Sequence, residues 1–397
     1  AFVSRSLFLL QMDTRHLLKK VDENFIFKES SFSSTFSVNQ KGAFSFMSLF
    51  QWLTTGSFNG IYLEQEKEPA LSQPFLPFFS AATLQSKPIE HGYDLSHPLS
   101  CDQLADIAGR AGIIDEHDGK ELASKIRQAS KQKISAVCVD AIDDEPYVSS
   151  QINPLLHCSS EIVRAANWLA SAFDVGERFI AVYKNMSALE TKIPSFIDGV
   201  EVRRLQGRYP MEIRAFRRFD KATFIAGAAS LLHLYRAVTE GRRQTTSFVT
   251  VAGNCVSSPR NYEVTIGTTV GQLLDRCGLV LQPSVLVEGS AMRGVRIDDP
   301  EHTTIRPNTS SILAFHMDRQ EQLYSCLGCG RCIEACPAGL NPRKLYRCVT
   351  TSHKQKALSL GITSCIGCAS CSYICPSRLD LAHSIIQAKA QLNPEQE

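Results

Sequence analysis

Between residues 100 and 245, apolar runs of strand length alternate with runs of helical periodicity. CDQLADIAGRAGI (101–113) places Leu104, Ile107 and Ala108 near helical spacing, with Gly112 as a stop. ISAVCVDA (134–141) is a short apolar strand that runs into the polar turn DDEPY. SEIVRAANWLASAF (160–173) reads as a helix with Ser160 at its N-cap. RFIAVYK and GVEVRRL read as two further strands, and FIAGAASLLHLYRAV (224–238) as one apolar helix stopped at Gly241. Strands alternating with helices predict a largely parallel sheet covered on both faces.

The pattern changes on either side. Residues 1 to 95 are rich in Ser, Phe and Pro, with short apolar runs such as FSFMSLFQWL and QPFLPFF, and predict strands and loops. Residues 246–319 read strand, strand, helix, strand: SFVTVAG, NYEVTIG, TTVGQLLDRCG ended by Gly278, and PSVLVEG. From 320 to 397 the chain becomes helical segments punctuated by cysteines. The longest uncharged run, Gly42 to Leu63, is interrupted throughout by Ser, Thr, Gln, Asn and Gly, so no spanning helix is expected. The apolar SLFLL after Arg5 lacks a clear cleavage site and reads as an amphipathic start. A soluble or peripheral protein is expected.

A chain of 397 residues with 44% hydrophobic and 21% charged residues is globular and long enough for two or three domains. The net charge of +2 gives no bulk reason for nucleic-acid or membrane attraction. Cysteine placement carries the chemistry. Of 14 cysteines, nine fall between Cys326 and Cys375, which argues against a disulfide scaffold and for metal ligation.

CLGCGRCIEACP supplies Cys326, Cys329, Cys332 and Cys336 before Pro337, and CIGCASCSYICP supplies Cys365, Cys368, Cys371 and Cys375 before Pro376. Both follow the ferredoxin run in which the fourth cysteine ligates the other cluster. One 4Fe–4S cluster is therefore expected on Cys326, Cys329, Cys332 and Cys375, and a second on Cys365, Cys368, Cys371 and Cys336. Gly328, Gly330, Gly367 and Ala369 keep the turns bare enough for backbone amides to approach. Zinc, the bland alternative, uses four ligands per ion and explains the doubled run with its closing proline poorly. Cys348 and the five upstream cysteines read as core thiols. From 326 to 380, Arg331, Arg343, Lys344, Arg347, Lys354, Lys356 and Arg378 face only Glu334 and Asp380. That excess suits either an acidic redox protein or compensation of the clusters' own charge.

With these runs placed, the chain resembles the RnfC family, the peripheral members of the Rnf electron-transport complex. VTVAGNCVSSPRNYEVTIGTTVGQLLDRCG resembles the family's β-grasp (SLBB) module. VEGSAMRG, with Gly289, Met292 and Gly294, stands where the family has a Gly-Gly-Pro-Met-x-Gly turn, and Glu145, Pro146 and Tyr147 match its Glu-Pro-Tyr turn. The resemblance covers roughly 100 to 385. It implies a mainly β N-terminal region (1–95) and an α/β domain like the complex I flavoprotein core (96–245). A β-grasp module (246–319) and an α-helical two-cluster ferredoxin-like domain (320–397) complete the implied fold. It also implies electron transfer alongside the other subunits of a membrane-bound complex, peripheral on the cytoplasmic face.

FMN and NADH are implied by the family, but the residues count against both. The family's Gly-Gly-Ala-type loop is replaced by Asp115, Glu116, His117, Asp118 and Gly119, and its Gly-Gly-Glu after Tyr209 and Pro210 by MEIRAF. Carboxylates there would repel a phosphate. Of the two readings of the acidic 115–118 stretch, a metal site and a solvated loop, the loop is expected, with His117 unpartnered, and no substrate pocket is foreseen. Two readings stand beside the electron-transfer subunit: a complete NADH dehydrogenase module with FMN, and a scaffold whose clusters are structural. A variant of the former is similar to the cobalamin reductase of propanediol utilisation.

Overall fold

The computed structural model describes residues 76–78, 87–184, 193–316 and 324–392; the expectations for residues 1–75 lie outside them. A short strand, β1 (Leu76–Phe78), precedes the helix Cys101–Ala111. That helix opens with a capping box between Ser100 and Gln103 and closes on Gly112 in the left-handed conformation, as its spacing predicts. The α/β part holds β2 (Ala136–Ala141), β3 (Arg178–Tyr183), β4 (Phe196–Ile197), β5 (Val200–Leu205) and β6 (Thr223–Gly227). Their order is β4-β5-β3-β2-β6, with β4 as an antiparallel edge and the rest parallel.

Two expectations change here. The single apolar helix at 224–238 is a buried strand, β6, followed by the helix Ala228–Glu240. Gly227 ends the strand, and the small residues around it satisfy both periodicities. Ser160 is not a cap: the helix runs Ser159–Ala172, with Cys158 at its N-cap and no side-chain cap bond. The short helices Leu122–Ala129 and Met211–Phe216 were not foreseen.

The second sheet contains β7 (Thr246–Ala252), β8 (Arg260–Thr265), β9 (Val285–Glu288), β10 (Val295–Ile297) and β11 (Ser311–Phe315). Its order is β1-β8-β7-β11-β9-β10, with the helix Val270–Cys277 packed on it. β11 runs parallel to β7 in the middle of the sheet, which is the mixed pairing of a β-grasp. Helices Arg331–Glu334, Pro342–Thr350, Lys354–Ser359, Ser370–Tyr373 and Leu381–Leu392 carry the cysteines. Among the described residues, no helix is long and apolar enough to cross a membrane.

The three parts share buried surface. Phe248, Val287 and Phe315 of the β-grasp sheet, and Cys368, Ala369, Tyr373 and Ala382 of the cysteine region, belong to the same apolar core as the α/β sheet. Tyr147 meets Phe315 edge to face at 5.1 Å. Burial of this shared core fixes where the second cysteine loop sits relative to the α/β domain.

Candidate functional site

The two cysteine runs adopt one conformation twice. Gly328 and Gly330 in the first have positive φ, as do Gly367 and Ala369 in the second. Gly330 and Ala369 each immediately precede a four-residue helix. Ala369 holds a left-handed conformation that costs an L-residue roughly 1–2 kcal/mol, which marks the turn as dictated by its surroundings.

The fourth cysteines cross over. Cys336 lies with Cys365, Cys368 and Cys371 around one apolar cavity, closed by Pro337, Leu340, Ala382 and Ile385. The thiol neighbours of Cys371 are Cys368, Cys365 and Cys336, whereas those of Cys332 are Cys375 and Cys329. Cys326 lies on the exposed loop that leads into the first run. Tetrahedral zinc with Zn–S of about 2.3 Å needs sulfurs about 3.8 Å apart. Among the described residues, no three cysteine sulfurs come within 4.8 Å of one another. The thiols are thus not gathered as around a single tetrahedral ion, and it is the doubled run with its exchanged fourth cysteine that suits cubanes, four thiolates on four irons. Cys348 is a buried free thiol, as expected, and so are Cys138, Cys255 and Cys277.

The sites differ in depth. Cys326 and Cys329 are exposed, beside the exposed Tyr324, Leu327, Arg331 and Arg343. In the second site Cys368 is buried and Cys336, Cys365 and Cys371 are half-buried; the Cys368 carbonyl faces the Tyr209 hydroxyl at 3.0 Å, and Lys389 donates to the Cys365 carbonyl at 2.8 Å.

A second site overturns three expectations. The 115–118 stretch is not a solvated loop, His117 is not unpartnered, and a pocket is present. β2 and β6 are neighbours, but the chain proceeds from β2 to β3 on one side before returning to β6 on the other. This is the switch point at which open parallel sheets bind ligands, beyond the strands' carboxyl ends. Asp115 is fully buried there, pairs with Lys125 and accepts from the Gly227 amide at 2.9 Å. His117 Nδ1 lies 2.8 Å from Asp140 Oδ2 at the end of β2.

Glu116 reaches the N-terminus of the helix Ala228–Glu240, which has no side-chain cap from its own N-cap residue. Its carboxylate accepts from the Ala229 amide at 2.7 Å, the Ser230 amide at 2.9 Å and the Ser230 hydroxyl. A Cβ at Gly227 would run into that carboxylate. A helix N-terminus attracts anions, and here the chain's own side chain satisfies it.

Above it opens a cavity of about 360 Å³ between the α/β part and the β-grasp sheet, lined by Glu116, Asp143, Asp144, Glu145, Glu212 and Glu288 with Arg293. Burial, reinforced by neighbouring carboxylates, raises Asp143 and Asp144 to about 7 and Glu212 to about 8. Glu116 is raised to about 7, by burial first and Asp115 second. Burial alone would lower His117, but its hydrogen bond to Asp140 raises it overall. A flavin phosphate or a dinucleotide pyrophosphate does not fit these residues: the helix end is filled and the walls repel anions.

Asp143 gives a pH test. Its raised folded value means that the folded state holds a proton the unfolded state releases above about pH 4, so stability falls as pH rises from there to about 7. Asp143→Asn keeps an acceptor for the amides of Gln151 and Ile152. Its melting temperature is expected to gain more over the wild type at pH 8 than at pH 5; an equal gain at both would deny Asp143 this titration.

The fold and the paired cysteine runs define a two-cluster iron–sulfur protein built onto a β-grasp module. Residues 248–294 match the SLBB domain model, residues 325–379 match the 4Fe-4S dicluster domain model, and two 4Fe–4S clusters are the cofactors of this chain. The chain is RnfC-like. It is 28% identical over 297 residues to the C subunit of the ion-translocating oxidoreductase complex of Rhodobacter capsulatus, a match covering 69% of this chain and 57% of the relative. The C subunit of the proton-translocating ferredoxin:NAD(+) oxidoreductase complex of Clostridium ljungdahlii is 24% identical, with 62% and 58% covered. The chain thus spans less than two thirds of the length of these relatives. In fold it is similar to a chain of an NAD+-reducing [NiFe]-hydrogenase in the H2-reduced state, with TM-score 0.51, 13% identity and 82% and 68% of the two chains covered.

Proposed function

We propose that the chain is an electron-transfer subunit of an Rnf-type oxidoreductase complex, held peripherally at the cytoplasmic face of the membrane by its partner subunits. In this reading Cys326, Cys329, Cys332 and Cys375 hold the outer cluster, and Cys365, Cys368, Cys371 and Cys336 the inner one. The observation that carries it is the grouping of Cys336 with the second run and of Cys375 with the first. That exchange draws the two sites together, as sequential one-electron transfer needs.

A 4Fe–4S cluster supplies a one-electron couple whose potential depends on hydrogen bonding and solvent exposure. The protein differentiates the two sites by those means. The outer loop presents Cys326, Cys329 and Leu327 to solvent beside Arg331 and Arg343, a surface suited to an acidic redox protein. The inner site sits in the shared core beside Tyr209, Ser370 and Lys389. With the anion-attracting helix N-terminus at the switch point filled by Glu116, electrons arrive from a partner and not from NADH bound here. Nothing in the charge balance favours a nucleic acid.

The test uses anaerobically purified, cluster-loaded protein. Absence of bound flavin, no bleaching of cluster absorbance by NADH and full bleaching by dithionite are expected. Retained flavin with rapid bleaching by NADH would establish the rival reading, a complete NADH dehydrogenase module. Clusters that dithionite cannot reduce would instead make them structural.

A further inference from the structure

We propose that His117, Asp140 and Glu212 form a binding site for one divalent first-row transition-metal ion, opening onto the acidic cavity and separate from the cysteine sites. Three elements converge there: the loop after the first helix, the end of β2 and the helix Met211–Phe216. Their ligand atoms all lie within 4.8 Å of one another, and among the described residues no other such set of His, Cys, Asp and Glu does. His117 Nδ1 is 2.8 Å from Asp140 Oδ2 and 3.9 Å from Glu212 Oε1. Ligand bonds of about 2.0–2.2 Å place neighbouring donors about 3–3.6 Å apart. A small inward movement of Glu212 therefore completes the set.

Each donor is already oriented. Asp140 is fully buried, and its Oδ1 accepts from the Ile142 amide at 3.0 Å, which leaves Oδ2 for the site. The His117 ring stands edge-on to Phe216 at 4.7 Å. Arg293 lies 3.6 Å from Glu212 Oε2, on the oxygen that does not face His117. Such outer partners fix the orientation of ligating side chains.

An independent observation points to a cation. Asp144 is 3% exposed and lines the same cavity, and its Oδ2 accepts from the Glu212 amide at 2.9 Å. Its Oδ1 has no hydrogen-bond partner. A buried carboxylate oxygen without a donor is costly, and it belongs to a residue that shares the cavity wall with His117 and Glu212. Six carboxyl groups and one guanidinium line the cavity, a set of oxygen donors on which an incoming cation can replace the protons. One imidazole nitrogen with carboxylate oxygens suits Mn²⁺, Fe²⁺ or Zn²⁺; the soft ions that thiolates select would go elsewhere.

The probe is Mn²⁺, which prefers oxygen and nitrogen to thiolate and leaves the clusters in place. Cluster-loaded protein is titrated anaerobically, and free Mn²⁺ is followed by its electron paramagnetic resonance signal. One Mn²⁺ per chain is expected, with unchanged cluster absorbance. Glu212→Gln and Asp140→Asn, which preserve shape, are each expected to weaken binding at least about tenfold. Glu288→Gln, elsewhere on the cavity wall, is expected to leave binding intact. Absence of a stoichiometric site, or affinity that survives both ligand substitutions, would overturn the proposal while leaving the cluster assignment untouched.

Discussion

Cys336→Ser is expected to remove the cluster of the second run, although the residue belongs to the first. Iron and acid-labile sulfide should fall to about half, because each four-cysteine site holds one of two equal clusters. Double substitutions identify which cluster is lost. Cys336→Ser combined with Cys368→Ser should lose no more than either alone, since both residues face one cavity. Cys336→Ser combined with Cys329→Ser should lose everything. Non-additivity of this kind is the mark of a shared site. The reverse pattern, with Cys336 and Cys329 acting as one, would mean that each run keeps its own four cysteines. Because ligation contributes folding energy, the single variants should also melt earlier, and the inner-site variant most, since Cys368 and Ala369 belong to the shared core.

Arg293→Leu is the substitution expected to disturb the fold most outside the cysteine runs. From the β-grasp part its guanidinium pairs with Glu145 and lies 3.6 Å from Glu212, both in the α/β part. Tyr209 adds a hydroxyl 2.9 Å from the same Glu145 oxygen. Removing the cation leaves buried carboxylates facing one another. Breaking a fully buried pair costs about 3–5 kcal/mol; with a third of the Arg293 side chain exposed, about 2 kcal/mol is expected. Denaturant unfolding measures it, and Glu145→Gln should recover part of the loss in the double variant. If Arg293→Leu is neutral and the double variant is additive, the pair does not hold the two parts together.

The cysteine runs were legible because their chemistry is local: spacing, bare turns and a closing proline all lie within a dozen residues. The helix at Cys101 and the strands at 136, 178 and 200 were legible for the same reason, each announcing its own period and stop. β6 was not. Phe224 to Gly227 followed by Ala228 and Ala229 offers small apolar residues that suit a strand or a helix equally, and only pairing with β2 decides. The acidic loop was misread for a related reason. A run of Asp, Glu, His and Asp looks solvated until Gly227, Ser230, Lys125 and Asp140 arrive from elsewhere in the chain to satisfy it. One signal was available: the place that the resemblance fills with glycines lies next to backbone, and a long acid there must reach something.

The unequal depth of the two cysteine sites gives the chain a polarity, like a cable insulated along its length and stripped at one tip. Cys326 and Cys329 are the fully exposed cysteines of the two runs, so a reagent too large to enter the core meets the first site there. At that tip the neighbouring Arg331 and Arg343 favour anionic reagents over cationic ones, by a margin that dissolved salt erodes. The second site, with Cys368 buried and Cys336, Cys365 and Cys371 half-buried, shows solvent no such bare loop.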